Sequence, residues 1–150
     1  MSVDALFEGL KNIFGTMTNL VEWGWSVESN LLDFLFKVKG DCSFEATNYE
    51  LVFTDQVNGV GKKPKIAFCI TQNLLAYLLN EGLKIEFKQI YRASVVDLVF
   101  ILTCGNEYLK IKVYDIDYDV AKEALEKITK EVYKIRGVRE SREGEQNVGN

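Results

Sequence analysis

The chain has 150 residues, a net charge of −4 and no histidine. The missing histidine excludes the Ser-His-Asp triad, the Cys-His pair and the usual histidine-built zinc and haem sites, so the expectation is a protein that binds rather than catalyses and needs no cofactor. A hydrophobic fraction of 47% with 27% charged residues allows a packed core, read as one α+β domain over residues 1–137.

The first element is an amphipathic helix over residues 2–22. Val3, Leu6, Phe7, Leu10, Ile13, Phe14, Met17, Leu20 and Val21 recur at helical spacing behind the N-cap candidate Ser2. Asp4, Glu8 and Lys11 interrupt it and no basic residue precedes it, which argues against a signal peptide. "WGW" (23–25) breaks the pattern, and Leu31, Leu32, Leu35 and Val38 predict a second helix from Ser26 to Gly40. Short strands are expected near 42–47 and 49–54, a loop at "NGVGKKP" (58–64) and a strand at "KIAFCI" (65–70).

Leu74, Leu75, Leu78 and Leu79 mark a helix capped by Thr71 and stopped by Gly82. Three strands follow at 84–92, 95–103 and 107–114, with links short enough for an antiparallel meander. A last helix runs from about 117 to 136, and 138–150 is a polar tail with no periodic apolar face, expected to be disordered. The predicted order is α-α-β-β-β-α-β-β-β-α, a largely antiparallel sheet with helices packed against it.

Two stretches imitate known sites. "GVGKK" (59–63) lacks the first glycine of a phosphate loop, places Lys63 where a hydroxyl is needed and leads into a strand, so it reads as a basic loop. "DIDYDVAKEALE" (115–126) has the acids of a calcium loop, but Val120 stands at the glycine position; Asp117 as N-cap and Asp119 in the first turn account for those carboxylates. No metal site is expected.

Charge is unevenly spread. Residues 1–55 hold nine acids against three lysines, whereas residues 56–114 hold eight bases against four acids. Within that basic middle, "YLKIKVY" (108–114) alternates Leu109, Ile111 and Val113 with Tyr108, Lys110, Lys112 and Tyr114. Single-stranded DNA or RNA suits the second face: bases stack on tyrosines and phosphates meet lysines. With Lys84, Lys88 and Arg92 on the strand at 84–92 of the same meander and Lys62 and Lys63 in the basic loop, these are the candidate nucleic-acid contacts. A solvated strand face is the plain alternative.

The last helix carries Ala121, Leu125, Ile128, Val132 and Ile135 at heptad spacing. Such a stripe serves either packing on the chain's own sheet or a homodimer through Leu125, Ile128, Val132 and Ile135.

The amphipathic run from Val3 to Val21, the Tyr108–Tyr114 face and this seam together resemble the ThermoDBP family of single-stranded DNA-binding proteins from hyperthermophilic archaea. The resemblance is one of architecture, over most of the chain up to Gly137. It implies a hydrophobic, basic-rimmed cleft on an antiparallel sheet and a C-terminal zipper helix for dimerisation. The order of elements and the acidic pI near 5.0 are also similar to class I secretion chaperones, which implies a protein client bound in an apolar groove. Three scattered cysteines (Cys42, Cys69, Cys104) predict reduced thiols in the cytoplasm, and no run of about 20 apolar residues predicts a membrane span.

Overall fold

The computed structural model describes residues 2–20, 24–31, 34–39, 46–47, 50–51, 57–60, 65–70 and 72–148, with side chains at 3–17, 19–20, 25–31 and 73–137. Helix α1 (Ser2–Thr18) leads into strands β1 (Gly24–Ser29), β2 (Phe34–Lys39), β3 (Ala46–Thr47), β4 (Glu50–Leu51), β5 (Val57–Val60) and β6 (Lys65–Ile70). Helix α2 (Gln72–Asn80), strands β7 (Lys84–Arg92), β8 (Val95–Cys104) and β9 (Glu107–Asp117), and helix α3 (Tyr118–Val148) complete the chain.

The protein is α+β, and its main sheet is antiparallel in the order β5-β1-β9-β8-β7. Strands β2 and β6 pair separately, as do β3 and β4. The meander of β7, β8 and β9 falls where alternation placed it. Two-residue turns join its strands, with left-handed backbone at Ala93 (φ 50°) and Gly105 (φ 62°). Glycine adopts that geometry freely; alanine does so against its Cβ. Helix α2 ends at Gly82 (φ 80°), where the Leu83 N–H donates to the Leu78 carbonyl at 3.1 Å and turns the chain into β7.

Two expectations are corrected. The helix predicted over 26–40 is replaced by strand at 26–29 (β1) and 34–39 (β2). Leucines at helical spacing suggested the helix, yet Trp25 and Val27 alternate with Ser26 and Glu28, and β1 inserts between β5 and β9. Pairing on both edges outweighs local helix preference. The segment expected to be a disordered tail instead continues α3 past Gly137 to Val148. Glutamate and arginine in "VRESREGEQNV" are good helix formers, so the absence of an apolar stripe did not stop the helix. The strand β5 also takes Val57–Val60, part of the predicted loop.

The core lies between one face of the sheet and the three helices. Leu98, Phe100 and Leu102 from β8, Leu109, Ile111 and Val113 from β9, and Trp25 and Val27 from β1 meet Leu10, Ile13 and Phe14 of α1 and Leu75 and Leu78 of α2. Phe14 and Phe100 pack edge to face at 5.8 Å. Helix α3 adds the rest. Ala121, Ile128, Val132 and Ile135 are all buried in this same core, and Leu125 is partly buried against it. The seam read as a dimer surface is therefore occupied within the chain. A Cβ at Gly9 of α1 would meet Ile135 Cγ1 at 2.6 Å, so the two helices touch through a residue with no side chain.

Candidate nucleic-acid interface

Register decides which side chains share the face of the sheet turned away from the three helices. Lys84 lies opposite Thr103, and Thr103 opposite Tyr108. Glu86, Ile101, Lys110 and Glu28 make the next row, and Lys88, Val99, Lys112 and Ser26 the third. The side-chain period of two thus brings Lys84, Lys88, Tyr108, Lys110 and Lys112 onto one surface, as expected. Tyr108, Lys110, Lys112 and Tyr114 are half-buried, while Lys84, Lys88 and Arg92 are exposed. Val99, at 4% exposure, gives this surface an apolar centre of its own. Lys62 and Lys63 lie outside the described residues.

Tyr108 is held firmly. Its N–H donates to Asn30 Oδ1 at 2.7 Å, and its carbonyl accepts from the Asn30 N–H at 3.1 Å and from the Ser29 hydroxyl at 3.1 Å. Asn30 Nδ2 also donates to the Asn106 carbonyl at 3.2 Å. The start of β9 is therefore fixed by the end of β1, and the ring of Tyr108 stands on a backbone with little freedom.

At the far end of the face the chemistry changes. The pairing of β8 with β9 slips between Val96 and Leu98, and Asp115 adopts φ 60° in the resulting bulge. Asp97, 3% exposed, is the buried charge at this point. Its Oδ1 accepts from Arg92 Nη2 at 2.6 Å and from the Asp115 N–H at 3.0 Å, and Lys112 Nζ stands 3.8 Å from Oδ2. Arg92 Nη2 also reaches Asp115 Oδ1 at 2.7 Å. The two carboxylates keep the Arg92 guanidinium above its ordinary pKa, the bond from Asp97 contributing most. A buried carboxylate ringed by donors satisfies its charge and holds the bulge in shape.

This cluster revises the site. Arg92 is committed to Asp97 and Asp115, which makes it a structural ion pair rather than an open phosphate contact. Lys88 pairs with Glu86 at 3.2 Å across exposed side chains, a weak and exchangeable contact. Lys112 leans over the ring of Tyr114, 5.5 Å from its centre, so that ring is partly used. Charge is segregated along the face. Lys84, Lys88, Lys110 and Lys112 outnumber Glu28 and Glu86 near Tyr108, whereas Asp97, Asp115 and Asp117 outnumber Arg92 at the bulge.

Elsewhere, an apolar cleft lined by Tyr91, Val96, Leu98, Tyr118 and Ala121 has a volume of about 10 Å³, room for about one water. That is far below the roughly 300 Å³ at which small-molecule pockets begin. Cys104 is buried, and that burial pushes its thiol above the ordinary pKa, the opposite of an activated nucleophile. Among the described residues no group of His, Cys, Asp and Glu is placed to hold a metal ion, and no helix is long and apolar enough to cross a membrane. Compared with known proteins, the chain has no significant match to a family model, a curated protein or a solved structure.

Sequence reasoning found the rows of lysine and tyrosine because alternation is visible in the residues. It missed the Arg92–Asp97–Asp115 cluster. The signal was there in Asp97, the single charge in an otherwise apolar strand, but its partners depend on a register slip that spacing does not reveal.

Proposed function

We propose that the protein is a non-enzymatic binder of single-stranded nucleic acid, and that it uses the half of the open face around Tyr108. The observation that carries this reading is the shared surface of Lys84, Lys88, Lys110 and Lys112 with Tyr108 and the apolar Val99 and Ile101. Bases stack on the tyrosine beside the half-buried Ile101, phosphates meet the lysines, and no base identity is read. Each stacked base contributes roughly 1–3 kcal/mol, more than an exposed lysine contact at moderate salt. The firmly held backbone of Tyr108 lowers the ordering cost of binding.

The overall charge of −4 opposes long-range steering, so affinity is modest and short-range. Fluorescence anisotropy with labelled mixed-sequence oligonucleotides at two salt concentrations tests the reading. Single strands should bind better than duplex, whose paired bases hide their faces. Lys84→Ala with Lys110→Ala should flatten the salt dependence by about two counterions, whereas Tyr108→Ala should weaken binding with the slope unchanged. Equal binding of duplex, or a slope that ignores both lysines, rejects the proposal. Failure to bind at low salt, with uptake of an unfolded polypeptide on the same face, favours a protein-binding module instead.

A further inference from the structure

Strand β7 ends the main sheet, and among the described residues no strand pairs with its outer edge. In an antiparallel ladder the N–H and carbonyl of one residue point the same way, alternating between neighbours. Arg136 Nη2 donates to the Ile85 carbonyl at 2.8 Å, and Gln89 Nε2 to the Phe87 carbonyl at a long 3.4 Å. The odd residues of β7 therefore turn their backbone groups outward. Ile85 is capped by α3, and among the described residues the outward backbone groups from Phe87 to Tyr91 meet only that weak Gln89 contact. This edge also exposes apolar surface. Among the described residues, Ile90 and Tyr91 of β7 and Tyr118 of α3 are exposed large hydrophobics, and the rings of Tyr91 and Tyr118 stand 6.1 Å apart.

We propose that this edge pairs with β7 of a second copy, antiparallel and centred on Gln89, so that two main sheets join into one. Charge and capping select that register. Centred on Gln89, Glu86 faces the partner's Arg92 and Phe87 faces the partner's Tyr91, each twice by symmetry. Both existing bonds of Arg92 use Nη2, which leaves its Nε and Nη1 donors for the incoming carboxylate. Ile85 falls opposite the partner's Ala93, beyond the end of the strand, so the capped carbonyl is not asked to pair. Moving the centre to Lys88 sets Lys88 against itself and Lys84 against the partner's Arg92, and it needs the Ile85 carbonyl. A centre at Phe87 also needs that carbonyl, and one at Ile90 sets Lys88 against the partner's Arg92.

This dimer uses none of the heptad seam and does not depend on nucleic acid. A two-fold axis perpendicular to the sheet keeps both open faces on the same side, so the two lysine–tyrosine surfaces become one continuous platform.

Light scattering and sedimentation equilibrium on the full chain, without nucleic acid, test the proposal. The wild type should pass from monomer to dimer between micromolar and submillimolar concentration. Glu86→Lys replaces two attractive cross-strand pairs by two repulsive ones and should raise the dissociation constant roughly ten- to thirtyfold. Gln89→Pro removes an outward N–H at the centre and should abolish the dimer. Glu86 is exposed, so its variant keeps the test decisive if the proline variant does not fold. A wild type that stays monomeric throughout overturns the proposal and leaves the edge to a foreign strand. So does a dimer whose dissociation constant Glu86→Lys leaves unchanged.

Discussion

The two faces of the main sheet are made from the same strands and differ sharply in what they carry. The covered face is uniformly aliphatic and aromatic: Leu98, Phe100, Leu102, Leu109, Ile111 and Val113 are almost without exposure. The open face interleaves lysine, tyrosine and glutamate that are partly or fully accessible around a buried Val99. One residue of offset separates them. The covered face carries the stability of the fold, because area removed from water scales with apolar burial. The open face is held in place by the first. The exception is Asp97, a buried charge on the open side whose bonds fix the bulge between the basic half and the acidic end.

The strongest way to break this contrast is to put a charge into the covered face. Ile128→Lys should cost about 4 kcal/mol or more, since it removes a core side chain and buries an ammonium with no partner. Urea denaturation would show the loss as a collapsed midpoint. Had the seam been a dimer surface, the same change would lower the mass in solution and leave the midpoint nearly intact.

Asp97→Ala tests the exception. It deletes two charge-assisted bonds and leaves the Asp115 N–H without its acceptor, for a cost of about 2–3 kcal/mol. Chemical denaturation measures it, and amide resonances of residues 113–117 should move because the bulge is released.

A smaller effect sharpens the picture of the turn. Ala93 holds φ 50° against its Cβ. Ala93→Gly relieves that strain and should stabilise the protein by about 0.5 kcal/mol after the added freedom of the unfolded chain is counted. Destabilisation on thermal melting would mean that the methyl group packs in a way the geometry does not show.

The smallest expected effect on stability belongs to the open face. Lys84→Ala and Lys110→Ala should each leave the folding free energy within about 0.5 kcal/mol, as surface substitutions do. If either one lowers the urea midpoint clearly, the lysines are structural and the division between the faces fails.

The sequence carried these two faces unequally. The alternation in "YLKIKVY" and "KIEFKQIYR" is a period of two with turn residues at both ends, so the meander and its lysine rows were readable. The stretch from Ser26 to Val38 was not, since its leucines satisfy a helical period while Phe34, Phe36 and Val38 satisfy a strand period. Only pairing with β9 and β6 decides between them, and pairing partners are distant in sequence. The role of the seam was ambiguous for a related reason. A stripe of Ile128, Val132 and Ile135 says that something covers it, and only the close approach of α1 at Gly9 says what. The site lost Arg92 because Asp97 and Asp115 both take its Nη2, so a phosphate there would meet two carboxylates beside one guanidinium.

The central claim is that the basic half of the open face, and not the covered face or the acidic end, meets nucleic acid. Titrating a short single-stranded oligonucleotide into isotopically labelled protein, and following amide and side-chain resonances, tests it most directly. The account predicts shifts concentrated at Lys84, Lys88, Ile101, Tyr108, Lys110 and Lys112, with ring protons of Tyr108 moved upfield by stacking, and little change at Asp117 or along α3. Shifts centred on α3 or on the Asp97 cluster, with Tyr108 unmoved, would contradict it.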